Sequence, residues 1–219
     1  MKNLIIFGGG DYAKMIFTDL KKDSEYNILG FFDDRKKIKF SRGKKKPYFI
    51  DLNQKIKGIK KIYGIICVGD NYKRYTISKI IKKKIPKINW IIFKSKSAVI
   101  SKNIKIGKGT VILPNSVINS GTKIGQHCII NTSCSIDHDN VFEDFTSTGP
   151  RVTTAGNVKI KKFSFVGISS TINSKITIQK NTIVGGNSFV NKNCASNSIY
   201  FGIPASFKRK RKLGEKYLN

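Results

Sequence analysis

The chain has 219 residues and a formal net charge of +29, from 42 lysine and arginine residues against 13 aspartate and glutamate residues. Hydrophobic residues make up 39% of the sequence, which is typical of a folded globular protein and excludes a disordered chain. The lysines are scattered and accompany no helix-turn-helix, zinc-finger or RNP motif, so nucleic acid is the least favoured partner. We expect solvated lysines, with attraction of anionic small molecules or an anionic membrane surface as the alternative.

The cysteines show no CxxC spacing, and the two histidines of the chain are too few to complete a zinc site with them. We therefore predict reduced, buried thiols and a cytoplasmic protein without a metal. The apolar run Leu4 to Phe7 is too short for a signal peptide or a membrane span, which agrees with that location.

The first predicted elements are a buried strand over Lys2 to Phe7 and a helix that follows the glycine turn Gly8-Gly9-Gly10. The helix is predicted from apolar residues at helical spacing, which are Tyr12, Met15, Ile16 and Leu20.

A second strand is predicted over Ile28 to Phe32, and it ends in the acidic pair Asp33-Asp34. This order of elements is typical of a nucleotide-binding unit, because glycines let a phosphate approach the N-terminus of the helix. A carboxylate after the second strand can accept hydrogen bonds from ribose or sugar hydroxyl groups.

A further unit follows, with a strand over Ile62 to Val68, a turn at Gly69-Asp70-Asn71, a helix near Lys73 to Lys84 and a strand over Ile88 to Ile92. These roughly ninety residues are too few for a dinucleotide domain with two halves. They favour a mononucleotide portion, such as that of a nucleotide-sugar, over NAD. A structural α/β cap without a ligand is the alternative.

A period of six residues starts at Ile106 and continues without an insertion. Thirteen of its fifteen positions, all except Thr148 and Thr154, are large and apolar. The fifteen positions are Ile106, Ile112, Ile118, Ile124, Ile130, Ile136, Phe142, Thr148, Thr154, Ile160, Val166, Ile172, Ile178, Val184 and Val190. The position four residues later is small or modest in size: Thr110, Ser116, Thr122, Cys128, Cys134, Asn140, Thr146, Val152, Val158, Ser164, Ser170, Ile176, Thr182, Ser188 and Cys194.

Neither a helix, which repeats at about 3.6 residues, nor an ordinary strand, which repeats at about 2, explains this period. We predict a triangular parallel β-helix with one short strand per hexad and three hexads per turn, so that five turns cover residues 106 to 195. The large residues fill the interior and the small residues fit the tight corners.

Residues that are three hexads apart are predicted to lie above one another. One column contains Ser120, His138, Gly156 and Ser174, and a second contains Thr132, Pro150, Ile168 and Gly186. A glycine beside an exposed histidine leaves open space for a substrate. His127 lacks such a setting and is predicted to be an ordinary surface residue. Cys128 and Cys134 occupy small corner positions, so we expect no nucleophilic role for them.

The basic run Lys208-Arg209-Lys210-Arg211-Lys212 follows the sequence FGIPA. Three interpretations stay open: a solvated end, a phosphate contact for coenzyme A, or an anchor at a membrane surface.

The sequence resembles bacterial sugar acyltransferases of the sialic acid O-acetyltransferase and UDP-4-amino-sugar N-acetyltransferase type. In this family a small Rossmann-like domain precedes a left-handed hexapeptide β-helix. The resemblance covers nearly the whole chain, and the motifs that carry it are GGGDYA (8–13), GFFDD (30–34), VGDN (68–71), IINTSCSIDHDNVFEDF (129–145), TAGNVKI (154–160), VGI (166–168), VGGNSFV (184–190) and FGIPA (201–205). The run with Asp137-His138-Asp139 is the most specific of them.

The resemblance implies two domains. Residues 1–94 would form a small Rossmann-like nucleotide-sugar-binding domain, and residues 95–219 a hexapeptide β-helix acyltransferase domain with a C-terminal basic tail. It further implies acetyl-CoA as the co-substrate and a homotrimer with active sites between neighbouring β-helices.

By position in the family motifs, His138 resembles the general base and Asp139 the carboxylate that raises its basicity. The resemblance implies nucleotide-sugar contacts at Gly10, Asp11, Tyr12, Asp33, Asp34 and Gly69. It implies acetyl-CoA contacts at Ser147, Gly156, Ile168 and Gly186. Three departures stand out: Asp11-Tyr12 where the family usually has Gly-His, Ser147 where a histidine is common, and Asp137 where some members have a glutamate.

We therefore expect an acetyl-CoA-dependent acetyltransferase that acts on an amino or hydroxyl group of a (nucleotide-)sugar for bacterial surface glycan synthesis. Histidine, with an unperturbed pKa of about 6.5, suits proton removal by His138 in a direct transfer without an acyl-enzyme. The alternatives are an O-acetyltransferase of a non-nucleotide sugar such as a sialic acid, and a non-catalytic trimeric β-helix scaffold. Peripheral contact with a membrane also stays open.

Overall fold

The computed structural model of the protein describes residues 1–33 and 56–217, which divide into two compact units. Unit 1 comprises Met1–Gly69 and Lys73–Ile91, and unit 2 comprises Asp70–Tyr72 and Ile92–Asn219. In the described part of the chain, no helix combines the length and the apolar character needed to cross a membrane.

Unit 1 contains a parallel four-stranded sheet in the order β2-β1-β3-β4. Its strands are β1 (Lys2–Phe7), β2 (Tyr26–Phe32), β3 (Tyr63–Ile66) and β4 (Asn89–Trp90). The strand predicted over Lys2 to Phe7 is confirmed, whereas the predicted third and fourth strands are shorter than expected. Ile5 and Ile66 of the sheet are buried in one core with Ile81, which belongs to the helix that follows β3. Burial of these apolar side chains holds the sheet and that helix together.

Two helices belong to the described residues, α1 (Asp11–Leu20) and α2 (Asn71–Lys84). In α1 the buried residues are Ala13, Ile16 and Leu20, whereas Met15 is 45% exposed. The prediction that Met15 shares the apolar face was wrong, because that face begins one residue after Tyr12, at Ala13, and continues at intervals of three and four residues.

Unit 2 is a β-helix with three faces of two-residue strands, and one face ends in two longer strands that form a hairpin. Face 1 contains β5 (Phe93–Lys94), β8 (Val111–Ile112), β11 (Ile129–Ile130), β14 (Ser147–Thr148), β17 (Phe165–Val166), β20 (Ile183–Val184), β22 (Ser198–Gly202) and β23 (Ala205–Lys210). Face 2 contains β6 (Val99–Ile100), β9 (Val117–Ile118), β12 (Ser135–Ile136), β15 (Thr153–Thr154), β18 (Thr171–Ile172) and β21 (Phe189–Val190). Face 3 contains β7 (Lys105–Ile106), β10 (Lys123–Ile124), β13 (Val141–Phe142), β16 (Lys159–Ile160) and β19 (Thr177–Ile178).

Strand register confirms the predicted turn of three hexads. Ile124 pairs in parallel with Phe142, and Phe142 pairs with Ile160. The β-helix has about 6 turns and begins at Phe93, earlier than the predicted start at residue 106. The period in fact continues back to Ile100, which packs against the interior, and it is broken only at Lys94, which is exposed while the neighbouring Phe93 is buried.

The interior and the corners are filled as the two residue lists predict. The interior residues from Ile112 to Val190 are all buried, and so are the small corner residues from Thr110 to Cys194. All four cysteines are free and buried, and burial raises the pKa of the Cys67, Cys134 and Cys194 thiols.

Each corner turns through a residue in the left-handed backbone region. The non-glycine residues with positive φ recur at every hexad from His127 to Asn187, and Gly109 and Gly121 continue the series. Asp139, at φ 57°, is one of them, so its backbone conformation is that of a regular corner.

The basic run near the C-terminus belongs to a folded hairpin. Strand β23 pairs antiparallel with β22, and Arg211 is only 7% exposed. The guanidinium of Arg211 donates to Asn181 Oδ1 at 2.7 Å and to the carbonyl oxygen of Glu215. A solvated position is therefore excluded for Arg211 alone. The other basic residues of the run, Lys208, Arg209, Lys210 and Lys212, are exposed, and its phosphate-contact and membrane-anchor interpretations stay predictions.

Candidate active site

His138 lies at the corner between face 2 and face 3, directly after β12. Its Nδ1 atom is 2.9 Å from Asp139 Oδ2, and the two side chains are 50% and 57% exposed. The left-handed corner conformation of Asp139 turns its carboxylate back towards the preceding ring. A carboxylate on Nδ1 fixes the tautomer that leaves Nε2 free to accept a proton.

The hydrogen bond with Asp139 is the main cause that raises the pKa of His138 above its ordinary value of 6.5. Asp137 acts in the same direction through its charge. The Asp137 carboxylate accepts the His138 backbone N–H at 2.8 Å and an Asn119 side-chain N–H at 3.2 Å, and these bonds lower its own pKa.

Gly156 lies against the His138 ring, one turn further along the β-helix. A Cβ atom at position 156 would be 2.5 Å from His138 Nε2, which is too close for any side chain to coexist with the ring in this position. The backbone N–H of Asn157 donates to the carbonyl oxygen of His138 at 3.1 Å and holds the two corners together.

The Gly156 N–H has no hydrogen-bond partner within the described ranges. At equivalent corner positions a preceding Asn or Asp side chain accepts this N–H, as in the Asn131–Thr132, Asp137–His138 and Asn173–Ser174 pairs. Ala155 precedes Gly156 and has no acceptor to offer. A backbone donor is therefore left beside the Nε2 atom of His138.

The four predicted acetyl-CoA contacts fall in three places. Gly156 adjoins His138, and Ile168 stacks on Gly186 at the corner between face 1 and face 2. Ile168 is 53% exposed, so this column presents an apolar surface. Ser147 lies on face 1 with 3% exposure, and its hydroxyl donates to Asn71 Oδ1 at 2.6 Å, so no exposed hydroxyl remains for a ligand.

The predicted nucleotide-sugar contacts lie in unit 1. Gly10 is the N-cap of α1, no side chain caps this helix end, and a Cβ atom at Gly10 would meet nothing within 4 Å. Asp11 is exposed in the first turn. The Asp33 carboxylate accepts the Gly9 N–H at 2.7 Å and so holds the glycine turn. Asp34 lies outside the described residues.

Two further groups stand near the carboxyl ends of the unit 1 strands. The Tyr12 phenol oxygen is buried and has no hydrogen-bond partner in the described part of the chain, and burial raises its pKa. Arg74 is only 1% exposed and donates to the carbonyl oxygens of Val68 and Gly69 at 2.8 and 2.9 Å. Sequence analysis missed Arg74, because nothing distinguishes it from the lysines of the same helix.

His127 is not a surface residue, so that prediction was wrong. It is 3% exposed, its ring stacks on Phe145 at a centroid distance of 5.0 Å, and Gly109 leaves the space that the ring occupies. The recurrence of rings at positions 127, 145 and 163, each one turn after the last, is the signal that could have revealed this stack.

The acidic residues of unit 2 are concentrated near His138 in the sequence of a strongly basic chain. Four of the five acidic residues between positions 93 and 217 are Asp137, Asp139, Glu143 and Asp144. Glu143 pairs with Lys161 at 2.8 Å, whereas Asp137 and Asp139 flank the imidazole. Across residues 1–33 and 56–217, no group of three or more His, Cys, Asp or Glu side chains could hold a metal ion.

A small α/β unit followed by a parallel β-helix of six-residue repeats, with a histidine–aspartate pair on one corner, defines the class of hexapeptide-repeat transferases. Two family models match the chain: residues 3–81 match the PglD N-terminal domain, and residues 103–138 match the bacterial transferase hexapeptide (six repeats). The chain therefore combines a PglD-type N-terminal domain with bacterial transferase hexapeptide repeats, as its resemblance implied.

Solved structures share this fold over nearly their full length. PerB from Caulobacter crescentus, in complex with CoA and GDP-perosamine, has a TM-score of 0.84 and 23% identity, covering 95% of this chain and 98% of that one. The acetyltransferase domain of PglB from Neisseria gonorrhoeae, in complex with acetyl coenzyme A, has a TM-score of 0.82 and 20% identity, covering 94% and 99%. WeeI from Acinetobacter baumannii has a TM-score of 0.83 and 20% identity, covering 95% and 100%. The predicted fold class, with its left-handed β-helix, is confirmed.

Proposed function

We propose that the protein is an acetyl-CoA-dependent N-acetyltransferase that acts on a nucleotide-linked amino sugar, with His138 as the general base. The observation that carries this proposal is the His138–Asp139 pair, whose ring lies against Gly156 and its unpaired N–H. Similar folds that bind CoA together with GDP-perosamine, or acetyl coenzyme A, support the choice of co-substrates.

Acyl transfer from a thioester requires a neutral amine, and an amine in water is largely protonated. The bound ammonium group first releases one proton to solvent, and His138 Nε2 then takes a second proton from the neutral amino group as its nitrogen attacks the thioester carbonyl carbon. The tetrahedral intermediate then collapses, the C–S bond breaks, and the coenzyme A thiolate leaves and takes up a proton from the imidazolium. Asp139 keeps the ring oriented and stabilises its charged form.

The Gly156 N–H is the donor we assign to the developing oxyanion. A backbone donor that has no internal partner needs no reorganisation when charge appears on the carbonyl oxygen. The position of this N–H beside Nε2 suits a tetrahedral carbon between the base and the donor.

The charge around His138 favours an amine over a hydroxyl acceptor. Asp137 and Asp139 create a local negative field, and an ammonium group is attracted to it whereas a neutral hydroxyl gains little. The net positive charge of the whole chain, in turn, attracts the phosphates of both substrates.

We assign the nucleotide portion to unit 1, through Gly10, Asp11, Tyr12, Asp33, Asp34 and Gly69. The uncapped N-terminus of α1 supports this assignment because free backbone N–H groups bind phosphate. The acetyl-CoA contacts are assigned to Gly156, Ile168 and Gly186, whereas the expected contact at Ser147 is not kept because its buried hydroxyl is bonded to Asn71. A homotrimer with active sites between β-helices, a role in bacterial surface glycan synthesis and a cytoplasmic location complete the proposal.

The test is release of free coenzyme A thiol from acetyl-CoA in the presence of a panel of nucleotide-linked amino sugars and their hydroxyl analogues. We expect release with an amino sugar, and a loss of about 10²-fold or more in kcat for His138→Asn. His127→Asn is the matched control, because it changes the other histidine of the chain, which lies at a different corner of the β-helix. A wild-type protein that binds both ligands without releasing thiol would indicate a scaffold. Faster release with the hydroxyl analogue would instead favour an O-acetyltransferase.

A further inference from the structure

The small corner residues tie successive turns of the β-helix together through one recurring pair of hydrogen bonds. The Thr110 hydroxyl donates to the carbonyl oxygen of Gly125 at 2.7 Å and accepts the N–H of Cys128, one full turn later, at 3.0 Å. Ser164 makes the same pair of bonds, to Gln179 at 2.6 Å and from Thr182 at 3.0 Å. A hydroxyl has a single hydrogen, so it donates only one strong bond of this kind.

Asn140 makes this pair of bonds and one more. Its side chain is fully buried, with Nδ2 donating to the Ala155 carbonyl oxygen at 3.1 Å and Oδ1 accepting the Val158 N–H at 2.7 Å. Nδ2 also donates to the Asp137 carbonyl oxygen at 2.7 Å and lies 3.0 Å from Thr154 Oγ1. The second hydrogen of the carboxamide is what allows this additional bond within its own turn.

The two carbonyl groups that Asn140 joins immediately precede the two central residues of the site. Asp137 precedes His138, and Ala155 precedes Gly156. Among the fifteen small corner positions from Thr110 to Cys194, Asn140 is the one carboxamide. A doubly donating side chain thus occupies the corner that carries the His138 ring.

We infer that Asn140 is a positioning residue, which fixes the backbone of His138 against the backbone of Gly156 and so sets the distance between Nε2 and the Gly156 N–H. This inference rests on the proposed acetyl transfer. Asn140 is buried beneath the corner and touches neither substrate. A displacement of about 1 Å between a base and an oxyanion donor lowers turnover by about 10²-fold, so a modest loosening of this corner is measurable.

The substitution that tests the inference is Asn140→Ser. Serine is a normal residue of this position in other turns, and its hydroxyl retains a donor for Ala155 and an acceptor for Val158. It loses the bond to Asp137, whose carbonyl oxygen still accepts the Thr122 hydroxyl at 2.8 Å, and it loses the contact with Thr154 Oγ1. Thr110→Val is the control, because it removes both inter-turn bonds at a fully buried corner that is not joined to His138 or Gly156.

We expect Asn140→Ser to lower kcat about 10-fold or more, with KM for acetyl-CoA and for the acceptor changed less than about 2-fold. Thr110→Val should keep kcat within about 2-fold at a temperature where both variants are folded. A purely structural role for Asn140 predicts equal behaviour of the two variants, and that result would overturn the inference.

Amide hydrogen exchange gives a readout that does not depend on turnover. The Asn157 N–H, which donates to the His138 carbonyl oxygen, should exchange about 10-fold faster or more in Asn140→Ser and unchanged in Thr110→Val. Unchanged exchange in both variants would show that Asn140 does not hold these corners together. Absence of thiol release from the wild-type protein contradicts the proposed function, whereas equal kcat of the wild type and Asn140→Ser contradicts this inference alone.

Discussion

The imidazole of His138 occupies the space that a side chain at position 156 would need. A Cβ atom there would lie 2.5 Å from Nε2 and 2.6 Å from Cε1 of the ring. The backbone of Gly156 is not in the left-handed region, so an alanine would be tolerated by the backbone and opposed only by the ring.

Gly156→Ala is therefore expected to displace the exposed His138 ring with little effect on folding. We expect kcat to fall by about 10²-fold, because the base moves away from the acceptor, and the free energy of unfolding to change by less than about 1 kcal/mol. Steady-state thiol release and urea denaturation measure the two effects. Ser174→Ala, one turn further along the same column, is the control and should match the wild type.

Replacement of the carboxylate on Nδ1 should change the pH dependence of turnover. A general base works when it is deprotonated, so kcat/KM rises with pH through the pKa of His138, which Asp139 holds above 6.5. In Asp139→Asn the charge is lost and asparagine still suits the left-handed corner, so the rising limb should shift to lower pH and kcat should fall about 10-fold or more. Asp144→Asn removes a carboxylate at the next corner of the β-helix, where it accepts the Gln126 N–H, and it should leave the limb in place.

The buried guanidinium of Arg211 is expected to stabilise the C-terminal hairpin. Arg211→Ala removes the donor to Asn181 Oδ1 and should lower the free energy of unfolding by about 1–3 kcal/mol. Lys210→Ala, at an exposed neighbouring position, should change it by less than about 0.5 kcal/mol. Equal unfolding midpoints for the two variants in urea would contradict a structural role for Arg211.

The two histidines should separate stability from activity. His127→Asn retains a residue that suits the left-handed corner but loses the stack on Phe145, so we expect a loss of about 1–2 kcal/mol in stability. Its kcat should stay within about 2-fold of the wild type when measured well below the melting temperature. A loss of turnover in the folded His127→Asn variant would place that corner in the catalytic machinery.

The fold was largely predictable because its signal is steric and periodic. Residues such as Ile124, Phe142 and Ile160 must fill one interior stack, and a side chain that cannot fit breaks the turn, so the sequence retains the period. The same reasoning placed His138 above Gly156 from the sequence alone. The period did not show where the β-helix begins, because its in-phase residue in the first turn is Lys94. A lysine is accommodated there because no further turn covers this end of the β-helix.

The errors concern residues whose surroundings come from distant parts of the chain. His127 is buried through a ring one full turn away, and Arg211 is buried through Asn181, which lies in a much earlier part of the sequence. Asn140 was counted correctly as a small corner residue, but its third hydrogen bond depends on how the carboxamide is rotated in the folded corner. Residue size and spacing in the sequence predict which residues fill the interior and the corners. They do not predict contacts between side chains that are distant in the sequence, or how a side chain is rotated.

Because each two-residue strand of the β-helix pairs only with the strands one turn before and one turn after it, the length of the β-helix changes in whole turns. Removal of the single turn that runs from position 173 to position 190 would keep the remaining strands of each face in register and shorten the protein by about 4.8 Å, the spacing between neighbouring strands. The corner that carries His138 and Asp139 precedes the removed turn and would be unaltered. The length of the β-helix can therefore be changed without moving the base and its carboxylate, and removal of this particular turn would take away only the assigned acetyl-CoA contact at Gly186.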